Sequence, residues 1–313
     1  MFGKRRLRIG LCLLAVLTLA AGIAFGEVYI EQEKPADWEE RDLLRIWALY
    51  SLDCDAYILQ CGGQTMVLDG GKNASYLTEF LEAHELQHVD MIFNSHPHDD
   101  HIDAVYNALR TDKLTTDLFV TPFREDYKDA SDTFHQRVVK LLEDRGIPFL
   151  QVFSGDELSL GGAQMTVYRY DGTTKKPDGR SMMINDMSAI LWIRYGQSAI
   201  LMTADIGGMI QQMLAQEYGK DKLKSDILTA PHHGKNAMNG DLLRTVDPKL
   251  VIITGKVART QDCIRQMNRE GVAWKRTSYG TVVMETDGKD WYVNQEYTSE
   301  KVKKQEKSEK KKK

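Results

Sequence analysis

Apolar and polar positions alternate with a strand period early in the chain. Asp55–Gln60 reads as a strand, Cys61-Gly62-Gly63 as a turn, and Thr65–Asp69 as the returning strand, stopped by Gly70-Gly71. The period then changes. Tyr76, Leu77, Phe80 and Leu81 recur at helical spacing behind a cap at Asn73 or Ser75. Val89–Phe93 is a short apolar run of buried-strand length, and it delivers the chain into His96. A second helix is expected to begin near Asp132, with Phe134, Val138, Leu141 and Leu142 on one face and Gly146 as its stop.

Strands are predicted around 149–153, 164–170, 189–194 and 199–203, a helix over 208–218, and a short strand over 227–230. The last third repeats the alternation and closes with strands at 281–285 and 291–294. No repeat of solenoid period is present. Hairpin-rich sheets with intercalated helices predict a layered α/β domain.

The two ends depart from this pattern. Lys4, Arg5, Arg6 and Arg8 precede an uninterrupted apolar stretch from Ile9 to Phe25, and Ala24-Phe25-Gly26 resembles a cleavage site. Residues 1–26 are therefore read as a signal peptide or an N-terminal membrane anchor, which predicts an exported, extracytoplasmic protein, secreted or held at the membrane. Residues 27–47 read as a polar linker. Residues 296–313 read as a disordered basic tail, because from Glu300 onward eight Lys and three Glu accompany one apolar residue, Val302.

Composition changes the picture in one respect. The net charge of −4 conceals basic ends around an acidic body. Such a body does not steer polyanions, so a small or surface-attached substrate is favoured over long nucleic acid. The cysteines imply no disulfide framework. His135, flanked by Val138 and Val139 on one helix face, is expected to be a buried structural residue, and His84 and His88 to lie at the surface.

The chemistry concentrates in His96-Pro97-His98-Asp99-Asp100-His101, which holds three of the chain's eight histidines. Imidazole and carboxylate donors suit a borderline divalent ion. In a turn after a strand, His96 and His98 can face one ion while Asp100 and His101 face a second. Two ions so placed clamp a hydroxide and polarise the scissile centre. No Gly-rich phosphate loop, nucleophile elbow or C-x-x-C is present.

H-x-H-x-D-H after a strand resembles the signature of the metallo-β-lactamase superfamily, matched by His96, His98, Asp100 and His101. Asp69-Gly70-Gly71 is similar to the turn that precedes the motif there, and Thr203-Ala204-Asp205 to the strand end that carries a bridging aspartate. Pro231-His232-His233-Gly234 resembles an element of the subgroup typified by the C-terminal hydrolase domain of the competence protein ComEC.

The resemblance implies a single four-layer αββα hydrolase domain over 48–295 and two divalent metal ions, zinc or alternatively manganese. His96 and His98 would hold one ion. Asp100 and His101, with one of His232 and His233, would hold the other, and Asp205 would bridge. Asp100, His232 and His233 are the candidate catalytic side chains. The histidine that is not a ligand would protonate the leaving group or orient its neighbour.

Where many members have a third histidine, this chain has Asn185 and Ser188, and Lys235 stands where the subgroup often has serine. These three are further pocket candidates. The implied reaction is attack by a metal-bound hydroxide on a phosphodiester or related ester. The alternatives are a lactone, β-lactam or amide bond, or a metal-bound surface protein that binds without turnover.

Overall fold

The structure, a computed structural model, describes residues 26–128 and 134–310. The apolar N-terminal stretch and the expected start of the second helix near Asp132 lie outside them.

The chain opens with β1 (Val28–Ile30), β2 (Leu44–Ala48), β3 (Ala56–Cys61) and β4 (Gln64–Asp69). Helix α1 (Ala74–Ala83) leads to β5 (His88–Val89), β6 (Met91–Phe93) and α2 (Asp99–Arg110). β7 (Thr115–Thr116), β8 (Phe119–Thr121), α3 (Phe134–Arg145) and β9 (Phe149–Gln151) complete the first half.

The second half holds β10 (Glu157–Leu160), β11 (Ala163–Tyr168), β12 (Ile190–Tyr195), β13 (Ser198–Met202) and α4 (Gly208–Leu223). It continues through β14 (Ile227–Thr229), α5 (Gly240–Val246), β15 (Leu250–Ile253), α6 (Gln261–Glu270) and β16 (Ala273–Arg276). β17 (Gly280–Thr286), β18 (Trp291–Tyr297) and α7 (Glu300–Lys310) follow.

Nine strands form one sheet, in the order β1-β18-β17-β2-β3-β4-β6-β8-β9, and seven form the other, β10 to β16 in sequence order. Strand alternation builds the layers. Tyr57, Leu59 and Cys61 of β3 join Ile200 and Met202 of β13 in the core between the sheets. Ala56 and Ile58 point outward, against Leu77 of α1, Val105 of α2 and Val138 of α3. On the other outer face Leu201 and Leu228 meet Ile210 of α4, Leu242 of α5 and Met267 of α6. Strands buried on both faces require apolar residues at odd and even positions alike, and the result is the expected αββα sandwich. Among the described residues no helix is long and apolar enough to cross a membrane.

Two terminal expectations are corrected. Residues 27–47 are not a linker: β1 pairs with β18, and β2 lies between β17 and β3. Leu44, Ile46 and Ala48 face the sandwich interior, and Trp38 is buried. The many charged residues hid this, because Arg45 is neutralised by Glu285 at 2.9 Å across the sheet.

Nor is the tail structureless over its described length, since residues 300–310 are helical. Its anchor is largely ionic, beside one apolar contact from Val302. Glu306 lies 3.6 Å from the buried Lys275 ammonium, and Glu309 lies 3.2 Å from the buried Arg276 guanidinium. Cys54, Cys61 and Cys263 are free and buried. His135 is buried and bonds the Arg124 carbonyl at 2.7 Å, while His84 and His88 are exposed.

Candidate metal centre

The centre is assembled from strand ends on one rim of the sandwich. β6 ends at Phe93 and releases the chain into His96. α2 starts at Asp99 with His98 as its N-cap, so Asp100 and His101 lie in its first turn. The helix was missed as a sequence pattern, although Ile102, Val105, Ala108 and Leu109 mark its buried face. Its start is pulled tight against the Asp69-Gly70-Gly71 turn: Gly70 N–H donates to the His101 carbonyl at 2.7 Å and Ala104 N–H to the Gly71 carbonyl at 3.0 Å. A Cβ on Gly70 would sit 2.5 Å from Val105 Cγ2, so only glycine permits this approach.

Asp69 sets the motif's geometry. Its Oδ1 accepts from Asn94 Nδ2 (3.1 Å) and Ser95 N–H (2.8 Å), and its Oδ2 from Ser95 Oγ (2.7 Å). The same Oδ2 lies 2.9 Å from His101 Nδ1. That contact fixes the ring and turns His101 Nε2 toward the gap, as carboxylates do behind metal-binding histidines. His96 Nε2 and His98 Nδ1 are 3.1 Å apart.

Asp205 follows β13, and Pro231–Gly234 follows β14. Asp205 Oδ1 lies 3.3 Å from His101 Nε2 and 3.4 Å from His233 Nε2. Its Oδ2 faces the other way, 4.0 Å from His96 Nε2 and 3.5 Å from His232 Nε2. One carboxylate thus presents an oxygen to each of two donor groups. Backbone strain accompanies the placement. Asp69, Ala204, His232 and His233 all have φ between 45° and 59°, a region costly for residues other than glycine.

His233 is fully buried and His232 about a third exposed. His233 Nδ1 lies 3.1 Å from both Asp55 Oδ1 and Thr254 Oγ1, and Thr254 Oγ1 donates to Asp55 Oδ1 at 2.6 Å. Asp55 therefore stands behind His233 as Asp69 stands behind His101. Sequence reasoning missed both roles, and Thr254 entirely.

Two sets of donor atoms lie within 4.8 Å of one another: Asp55, His101, Asp205 and His233, and His96, His98 and Asp205. Within the first set Asp55 is engaged on the Nδ1 side of His233. Asp100 Oδ2 lies 3.2 Å from the opposite nitrogen, Nε2, so Asp100 is the acid that faces the gap.

These groups could hold a metal ion. His101 Nε2 and Asp205 Oδ1 are buried without a hydrogen-bond partner, a state that is costly unless an electrophile satisfies it. Separations of 3.2 to 3.4 Å match the roughly 3.3 Å expected between ligand atoms about 2.0–2.1 Å from a tetrahedral ion.

Charge is balanced locally by the protein. Burial works against protonation of His101, but the Asp205 and Asp69 carboxylates outweigh it and hold the imidazole well above its ordinary range. His233 is likewise pushed up to about 10 against its burial, by Asp205 and Asp55. Burial disfavours the charged form of Asp100, yet the bond from His233 holds its carboxyl well below the usual range. His96 is driven down by burial and by His101. His232 is lowered by burial, offset in part by Asp205.

The remaining candidates sit at the margin. Asn185 Oδ1 and Ser188 Oγ are buried without hydrogen-bond partners, and Ala189 N–H donates to the Ser95 carbonyl at 3.0 Å, tying that segment to the motif. The half-buried Lys235 donates its backbone N–H to the His232 carbonyl at 3.0 Å.

No family model matches the sequence, and no curated protein matches it either. Solved structures do. The metallo-β-lactamase fold protein YhfI from Bacillus subtilis is 15% identical with a TM-score of 0.51, over 79% of this chain and 100% of that one. Unliganded yeast PDE1 is 9% identical with a TM-score of 0.50, over 75% of this chain and 97% of that one. The chain has the metallo-β-lactamase fold.

Proposed function

We propose that this protein is a hydrolase with a paired divalent metal centre, acting on a phosphodiester or related ester. The observation that carries the reading is Asp205, whose two oxygens face separate donor groups, His101 and His233 on one side and His96 and His232 on the other. His96 and His98 would hold one ion, Asp100, His101 and His233 the other, and Asp205 would join them. Divalent ions there would supply Lewis acidity and make a water acidic enough to attack at neutral pH. Zinc suits the donor set, and manganese is the alternative.

The chain's own groups divide the remaining work. Asp69 and Asp55 hold the two buried rings. His232, about a third exposed and 3.5 Å from Asp205 Oδ2, would give a proton to the leaving oxygen or orient its neighbour. The basic and apolar N-terminal segment supports export, with the substrate met outside the cytoplasmic membrane.

The test is metal content and bis(p-nitrophenyl) phosphate turnover on one preparation, beside a His98→Ala, Asp100→Ala double variant. Near two ions per chain and turnover lost in the variant are expected. Two ions without turnover would redirect the reading to lactones and amides, and failure to bind metal after reconstitution would overturn it.

A further inference from the structure

A cavity of about 620 Å³ adjoins the metal centre and shares none of its ligands. It lies on the same rim. Its walls come from the segments after β8 and β9, the segment after β11, and the turn before β12. Met187 lines it, and two residues further on Ala189 N–H bonds the Ser95 carbonyl next to His96. Only one short turn therefore separates the cavity from the histidine motif. The volume lies within the roughly 300–1,000 Å³ of small-molecule sites.

The lining combines two chemistries. Phe123, Tyr127, Phe153, Met182 and Met187 supply aromatic and thioether surface. Arg169 supplies a half-buried cation. Its Nη1 donates to the Pro122 and Val152 carbonyls, which ties two of the loops together. Its guanidinium carbon lies 6.0 Å from the centre of the Phe153 ring. Neighbouring cations are neutralised: Arg124 by Asp126 at 2.6 Å and Lys176 by Asp186 at 2.5 Å. Among the described residues no carboxylate lies within ion-pair distance of Arg169; Asp171, in the same wall, acts on it from farther off and is itself engaged by Thr173 and Thr174. A partly desolvated cation balanced only at longer range is costly, and an anion bound directly to it would relieve that cost.

We propose that this cavity receives the non-reacting arm of the diester, and that the arm carries a planar ring against the aromatic wall and a second anionic group on Arg169. The ligand class is nucleotide-like. The inference rests on the diester reading of the metal centre and specifies which diester. It adds no chemical step, since the cavity binds and orients.

The test uses three diesters with one leaving group: methyl p-nitrophenyl phosphate, thymidine 5′-(p-nitrophenyl phosphate), and the same thymidine diester bearing a 3′-phosphate. In the metal-loaded protein kcat/KM should rise from the first to the second, and by about tenfold again with the 3′-phosphate, the value of one charged contact. Arg169→Met should bring that last ratio near one, and Arg169→Lys should restore part of it. A ratio between two substrates stays readable even if Arg169→Met perturbs the loops. Phe153→Ala, at a site 55% exposed and so no threat to folding, should remove much of the gain from the ring.

Calorimetric binding of thymidine 3′,5′-bisphosphate gives a readout without turnover, expected to weaken about tenfold in Arg169→Met. Turnover of the methyl diester with no gain from ring or phosphate would overturn this inference and leave the metal-centre reading standing. Arg169-dependent binding of the bisphosphate without turnover of any diester would support the cavity and overturn the reaction.

Discussion

Asp69 Oδ2 lies 2.9 Å from His101 Nδ1, a direct contact between this buried carboxylate and the histidine that faces the metal gap. The carboxylate also carries Ser95 and Asn94, so one side chain orders both ends of the motif.

Asp69→Asn keeps the size and removes the charge. Metal affinity should fall about 10- to 100-fold, the usual cost of losing a carboxylate behind a ligating histidine. Titration with zinc against a competing chelator measures it. Unchanged affinity would mean that His101 needs no orienting partner.

Asp55→Asn should act on His233 in the same way, because Asp55 and Thr254 converge on its Nδ1. A zinc affinity close to that of the parent protein would mean that His233 needs no carboxylate behind it. One ion per chain in place of two would argue instead that Asp55 is itself a ligand.

Gly70→Ala should cost about 1–3 kcal/mol through overpacking, since the new methyl would meet Val105 Cγ2 at 2.5 Å and Leu77 Cδ2 at 3.3 Å. Urea denaturation reads the loss. A neutral result would mean that α2 can shift away from the turn at little cost, and metal affinity should then change instead.

Glu306→Ala removes a counter-charge from Lys275, which retains Glu31 at 2.7 Å and Tyr297 at 2.8 Å. About 1–3 kcal/mol of stability should be lost, the range for leaving a buried polar group short of a partner. Equal stability with and without the glutamate would show that α7 is not anchored through it.

Burial pushes the Cys263 thiol up to about 12. The folded state then holds its proton where the unfolded chain, with a thiol near the ordinary 8.5, releases it. Stability contributed by this group is therefore complete below the unfolded value and declines as pH rises toward about 12. Between pH 8 and 10 the parent should lose about 1–2 kcal/mol more than Cys263→Ala in urea unfolding. Parallel losses would contradict it.

What the sequence made legible was local. His96, His98, Asp100 and His101 fall within six residues, so spacing alone announced them. The β3–β4 hairpin and the turn at Gly70-Gly71 carried their own signals. Asp55 and Thr254 did not, because their role arises only when β3 and β15 bring residues 199 positions apart into contact. β2 and α7 were misread for a related reason. Their charged residues looked solvated, and the partners that neutralise them, Glu285, Lys275 and Arg276, lie far away in the chain. The α2 periodicity was present but was overshadowed by the metal motif at its start.

The donors come from three stretches of chain and from both sheets. His96 to His101 leave the nine-stranded sheet, whereas Asp205, His232 and His233 leave the seven-stranded one. An ion held between them would work as a clasp across the seam of the sandwich. A newly made chain could complete such a centre only once both sheets had met, so a fully loaded centre would report that the domain has closed.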